Sequence, residues 1–223
     1  MIVIALEFAR KCHEKDCSGH DWEHIKRVVE NAKMILEKEK SADRDVVLLS
    51  AILHDVDDYK LGGSGENLER FFSENQIDED LRIKIREVVE NISFSKSGDK
   101  PKFTTLEQKI VSDADKLDAM GAIGICRTIM YSVCCKRKLF DKDELPCDNL
   151  TCDEYKNKER KGNHSINHFF EKLLKLQNAM QTDAGMQEAL KRHEFMIEFL
   201  REFFVEVGAP EKWKEKLKEF DKR

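Results

Sequence analysis

Apolar residues recur along this chain with the period of an α-helix. Ile25, Val28, Val29, Ala32, Ile35 and Leu36 fall at i, i+3, i+4, i+7 spacing, which predicts a helix with one buried face that begins near Asp21. Leu81, Ile85, Val88, Val89 and Ile92 form a second stripe, and Leu106, Ile110, Val111, Ala114 and Leu117 a third. Phe169, Leu173, Leu176 and Met180 predict another helical face, as do Met186, Ala189, Leu190, His193, Ile197 and Leu200. Val46 to Leu53 is almost continuously apolar, which fits a helix buried on most sides. A buried strand shares that pattern; the polar start Ser41-Ala42-Asp43 and the neighbouring helices favour the helix. No segment alternates with period two, so an all-α fold is expected. Breaks fall at Leu61–Gly65, Ser95–Lys102 and Phe140–Gly162. Structureless stretches as long as the last are uncommon and often serve as lids or are disordered. None of the breaks reads as a linker, because the stripes on both sides need partners. One domain spanning residues 1–223 is the expectation.

Composition narrows the class. With 223 residues, 40% hydrophobic and 37% charged, the chain can bury a large core and carries a heavily charged surface. A net charge of −5 argues against a general nucleic-acid binder, which would show a basic excess, so no long nucleic acid is expected as a partner. A local basic pocket for phosphates remains compatible with that charge. No run of 18 apolar residues exists, and the short apolar N-terminus lacks a basic n-region, so a cytoplasmic protein without a membrane partner is expected. Seven cysteines do not suggest a disulfide framework. Cys134-Cys135, Cys147 and Cys152 lack the paired CxxC spacing of a zinc site and read as ordinary thiols.

Two histidine–aspartate pairs carry the candidate chemistry. His20-Asp21 precedes a helix; His54-Asp55 ends the deeply apolar run Val46 to Leu53. A charge at the end of such a run is costly unless paired or bound to a cation. The alternative is a histidine closing one helix and an aspartate capping the next turn. His24 and Arg27 share a helix face at i, i+3 and offer an imidazole, a metal ligand, beside a guanidinium, a phosphate clamp. A second acidic group follows in Asp113-Ala114-Asp115-Lys116-Leu117-Asp118, where Asp115 and Asp118 share a face and Asp113 points elsewhere. Flanked by Ile110, Val111, Ala119 and Met120, these carboxylates would repel one another without a cation.

His24, His54-Asp55 and Asp115 stand in the order and spacing of the HD superfamily of phosphohydrolases, which this chain resembles. The stretches Gly19–Val28, Leu53–Asp55, Ser112–Gly124 and Ser165–Leu176 look like one bacterial branch that includes enzymes cleaving nucleoside triphosphates to the monophosphate and pyrophosphate. The resemblance runs from about His20 to the C-terminal helix. It implies an HD-domain helical bundle with additional C-terminal helices, and one divalent ion held by His24, His54, Asp55 and Asp115. Two imidazoles and two carboxylates suit Mn first, with Mg, Co, Fe, Ni or Zn as alternatives. Such an ion activates water and offsets phosphoryl charge.

Relatives often place an acidic residue four after the histidine of the pair. Here that residue is Asp58, one turn along if the helix continues, and it is expected to handle protons, with Asp57 a rival. Arg27, Lys60, Lys116 and His168 are expected to contact substrate, Asp118 to contact substrate or to stand behind a metal ligand, and Lys60 to take a neighbouring phosphate. Arg127, Lys172 and Arg192 would ordinarily be surface charges, but Lys172 and Arg192 join Arg27, Lys60 and Lys116 in the matching segments, and that number of cations favours a polyphosphate. His193 reads as a core histidine on its stripe, and Gly121 and Gly124 as residues that let helices pack closely. The expected partner is a small nucleotide, and a homo-oligomer is compatible with the sequence. A 5′-nucleotidase, a phosphodiesterase of the same superfamily and a non-catalytic metal-bearing sensor are the alternatives.

Overall fold

The computed structural model describes residues 1–223 except 15, 17, 18, 20, 58–64, 93–102, 149, 152, 153, 155, 156, 158, 159, 222 and 223. The described residues form α-helices and one 3-10 helix and no strand, the class expected from the periodicity. No single described helix is long and apolar enough to cross a membrane. The chain divides into two compact units, Met1–Asp118 with Gln181–Gly185, and Ala119–Met180 with Met186–Arg223.

The first unit holds α1 (Ile2–His13), α2 (Trp22–Leu36), α3 (Arg44–Leu53), α4 (Asn67–Glu74), α5 (Glu79–Ile92) and α6 (Leu106–Asp118). Helix α2 starts where its cap dictates. The Asp21 carboxylate accepts from the backbone N–H of His24 at 2.8 Å, satisfying one of the orphan donors of the first turn. That employs the aspartate of the first histidine–aspartate pair structurally; His20 lies outside the described residues. Helix α3 is capped by Asp43, which accepts from Asp45 and Val46. Its residues Val46 through Leu53 are all buried, and it packs against α1, α2, α5 and α6. Each of Leu49, Ile52 and Leu53 contributes roughly 1.5–3 kcal/mol by leaving water. This is the helical outcome of the apolar run.

Helix α2 packs along α6, and buried Asn31 donates from Nδ2 to the Ala114 carbonyl at 3.0 Å. Asn31 lies two turns from His24 on the same face, so this bond sets the register that carries His24 toward Asp115 and Asp118. Asp113 is fully buried and accepts from the backbone N–H groups of Gln181 and Thr182 and from the Thr182 hydroxyl at 2.8–3.0 Å. It ties residues 181–185 into this unit. A Cβ at Gly185 would stand 2.5 Å from Asp113 Oδ2, so the position requires glycine.

The second unit contains α7 (Gly121–Cys134), α8 (Ser165–Glu171), the 3-10 helix Leu173–Ala179, most of α9 (Asp183–Glu206) and α10 (Glu211–Lys218). Three sequence expectations change here. The stripe from Phe169 to Met180 is not one α-helix: α8 stops at Glu171, and Leu173 and Leu176 lie three apart on the 3-10 turns that follow. Leu190 is exposed, and Met196 takes its place on the buried face of α9. Gly121 and Gly124 serve a tight turn, and Gly121 also allows the close approach of Arg192 on α9, which a Cβ would meet at 3.1 Å. Gly121 adopts φ +68°, and a Cβ at Gly124 would meet the Ala119 carbonyl oxygen at 2.3 Å. The stretch read as a long loop is anchored: Trp213 Nε1 donates to the Lys142 carbonyl, and Asn167 Nδ2 to those of Glu144 and Gly162.

Candidate metal centre

Four side chains of the first unit converge. His24 projects from the first turn of α2, His54 closes α3, Asp55 follows it, and Asp115 comes from α6. The Nε2 atom of His24 lies 3.5 Å from Asp55 Oδ2 and 3.6 Å from Asp115 Oδ1. The Nε2 atom of His54 lies 3.4 Å and 3.7 Å from the same two oxygens. Ligand atoms of His24, His54 and Asp115 lie within 4.8 Å of one another. These gaps are longer than good hydrogen bonds. They lie at or up to 0.3 Å beyond the spacing of atoms bonded to one ion, since ligands at about 2.1 Å in tetrahedral or octahedral arrangement stand roughly 3.0–3.4 Å apart, so a small inward movement of the side chains would close them on an ion. His54 Nε2 is buried and has no hydrogen-bond partner, which a metal bond would satisfy. The donor set therefore fits a divalent ion.

Each imidazole is oriented from behind. His54 Nδ1 donates to the Ala51 carbonyl at 2.9 Å, and His24 Nδ1 donates to Asp118 Oδ2 at 2.7 Å. Both rings thus present Nε2 to the centre. Burial works against a charge on His54, but the carboxylates of Asp55 and Asp115 outweigh it and raise its pKa to about 9. Burial also works against ionised Asp115, yet His54 and His24 hold it well below the usual carboxylate range. The His24 and His54 side chains are 0% and 3% exposed and Asp115 41%, so the centre opens on the Asp115 side.

An ion bound through His54 would displace the proton of its metal-free ring. Metal affinity is expected to fall about tenfold for each pH unit below about 9, where the metal-free ring is protonated. Titration with Mn across that range measures it; an affinity independent of pH would contradict a His54–metal bond.

The remaining site candidates fare differently. Asp118 is 1% exposed, and its two oxygens meet His24 and Arg27, which places it behind the imidazole. Arg27 closes on Asp118 with Nε at 2.6 Å and Nη2 at 3.1 Å. Burial opposes its charge, but Asp118 raises its pKa further. Lys116 reaches back to Ser112 and lies over the Phe103 ring at 5.2 Å. His168 is half-buried on α8 in the second unit. Asp58 and Lys60 lie outside the described residues. Helix α3 does not continue toward Asp58: it ends at Leu53, and turns follow through Asp57. Asp57 accepts from the N–H groups of Asn67 and Leu68 at 2.9 and 3.0 Å, so the rival for the proton role caps α4 instead. His193 is buried and donates from Nε2 to the Phe220 carbonyl. Asn31 escaped the sequence reading, although an amide two turns from His24 on an otherwise apolar stripe was its signal.

Comparison with known proteins identifies the family and the fold. The HD domain family model matches residues 21–120. YpgQ of Bacillus subtilis, a protein described as uncharacterized, is 33% identical over 200 residues, covering 86% of each chain. Its crystal structure in complex with ADP superposes with a TM-score of 0.71 at 27% identity, covering 93% of this chain and 98% of that one. A Lactobacillus plantarum protein gives a TM-score of 0.83 at 33% identity, covering 94% and 97%. A structure described as an HD-superfamily hydrolase from Bacillus thuringiensis gives 0.70 at 33% identity over the same shares.

Proposed function

This chain belongs to the HD domain family and has the fold of an HD-superfamily hydrolase, and from that premise we propose that it hydrolyses a phosphoanhydride bond of nucleoside or deoxynucleoside triphosphates, releasing the monophosphate and pyrophosphate. The observation that carries the reading is the convergence of His24, His54, Asp55 and Asp115 with the two Nε2 atoms facing two carboxylate oxygens at 3.4–3.7 Å. These four would hold one divalent ion, Mn first. When bound, the ion supplies Lewis acidity toward phosphoryl and water oxygens. His24 and His54 bind through neutral nitrogens whose directions Asp118 and Ala51 fix. Asp55 and Asp115 bring two negative charges, which leave the loaded centre near neutral and able to accept an anionic phosphate. Asp58 takes a proton from the attacking water. A nucleotide ligand is supported by the ADP complex of YpgQ, a relative 33% identical.

The cations expected to gather polyphosphate give this reading less support than the metal centre does. Arg27 and Lys116 are engaged by Asp118 and Ser112, and His168 belongs to the second unit. The choice of bond therefore rests on the family branch that the sequence resembles. Protein stripped of metal and reloaded with Mn, Mg, Co, Fe, Ni or Zn in turn tests it against mono-, di-, tri- and cyclic nucleotides, with phosphate and pyrophosphate measured separately. Pyrophosphate from triphosphates is the expected product. Orthophosphate from monophosphates, with no pyrophosphate under any metal, would assign a 5′-nucleotidase instead.

A further inference from the structure

We propose that Arg27 is a positioning residue of the metal centre and not a phosphate clamp: through Asp118 it fixes the His24 imidazole that holds the ion. This rests on the reading of His24 as a ligand. The distances form an unbroken chain. Arg27 Nε and Nη2 donate to Asp118 Oδ1 and Oδ2 at 2.6 and 3.1 Å, and Asp118 Oδ2 also accepts from His24 Nδ1 at 2.7 Å. The paired geometry is the two-point grip of a guanidinium on a carboxylate, which fixes orientation as well as charge. Asp118 is 1% exposed, and a carboxylate that deep needs a cation. The ion cannot be that cation, since His24 Nε2, on the far side of the ring from Asp118, faces Asp55 and Asp115. Arg27 fills the role.

Sequence spacing makes the chain buildable. Arg27 follows His24 by three residues on α2, so both side chains leave the same face and reach one carboxylate on α6. Asn31, four residues further on, holds the two helices in that register. A phosphate taken by the Nε–Nη2 edge of Arg27 would strip Asp118 of its cation and release the ring. The two roles are therefore opposed at that edge, and the geometry points to the structural one. Lysine offers a point charge without the fork, so it should not replace arginine fully.

Metal affinity measured without any nucleotide separates the two roles. Mn binding to the full chain is followed by competition with a chelating dye for wild type, Arg27→Gln, Arg27→Lys, Asp118→Asn and His24→Ala. Asp118→Asn and Arg27→Gln are expected to bind Mn 10–100-fold more weakly, the range for partners behind a ligand. Arg27→Lys should recover only part of that loss. At saturating Mn, Arg27→Gln should keep a wild-type KM for nucleotide. Arg27→Gln leaves Asp118 buried without its cation, so Arg27→Lys, which keeps a positive charge there, carries the test where the glutamine variant does not fold. Wild-type Mn affinity in Arg27→Gln together with a raised nucleotide KM would overturn the proposal in favour of the clamp. Undiminished Mn affinity in His24→Ala would instead overturn the ligand assignment beneath it.

Discussion

Asp55→Ala is expected to abolish nucleotide hydrolysis and to empty the metal centre while helical content stays at the wild-type level. Asp55 Oδ2 is the oxygen that both imidazoles face, at 3.5 Å from His24 and 3.4 Å from His54. Without it the ion keeps two nitrogens and one carboxylate and loses half the negative charge that balances it. The loss in metal affinity should exceed the roughly 10²-fold ceiling for residues that act from behind a ligand. Folding should tolerate the change, because Asp55 follows the buried run of α3 rather than belonging to it. Removing it also relieves the crowding of carboxylates in the metal-free centre. His54→Ala should behave alike, with a modest added cost for the space left at the end of α3. Metal analysis of purified protein, read beside circular dichroism and turnover, checks both variants. Full metal occupancy in Asp55→Ala would remove Asp55 from the ligand set.

Asp58→Asn should leave the metal in place and reduce turnover by roughly 10²-fold or more, the lower range for loss of a general acid or base. The assignment comes from the family resemblance, since Asp58 lies outside the described residues. The neighbouring structure adds one argument: Asp57, the rival, spends both oxygens on the first turn of α4. Asp57→Ala should therefore weaken that helix start by about 0.5–2 kcal/mol, the cost of losing a cap, and largely spare turnover at a temperature where the protein stays folded. Steady-state kinetics on both variants, at saturating metal, separates the roles. Unchanged turnover in Asp58→Asn would take proton transfer away from this residue.

How far the sequence anticipates the structure depends on whether a residue acts locally or across the fold. The stripe Ile25 to Leu36 is buried throughout, and the apolar run Val46 to Leu53 is the inner helix of its unit, because burial repeats at the helical period wherever a helix packs on one face. The same rule joins Phe169 to Met180 across a break that periodicity does not register, since apolar residues three apart suit an α-turn and a 3-10 turn alike. His24, His54 and Asp55 stand out by residue type and order, Asp115 is singled out from Asp113 and Asp118 by the family resemblance, and the fold brings the four together. What their neighbours do could not be read that way. The charge of Arg27 is visible in the sequence, whereas Asp118, the carboxylate it grips, lies 91 residues away. Asp57 and Asp113 likewise spend their charge on backbone N–H groups 10 and 68 residues further along. Such pairings are set by helix packing, which a single sequence does not display.

A crystal structure of the Mn-loaded protein, with the ion located by its anomalous scattering, tests the metal assignment most directly. One ion is expected in the first unit, bonded to His24 Nε2, His54 Nε2 and an oxygen each of Asp55 and Asp115, with every bond roughly 2.0–2.3 Å long. An ion bound elsewhere, or Asp115 more than ~3 Å from it, beyond ordinary metal–oxygen bonds, would contradict the assignment.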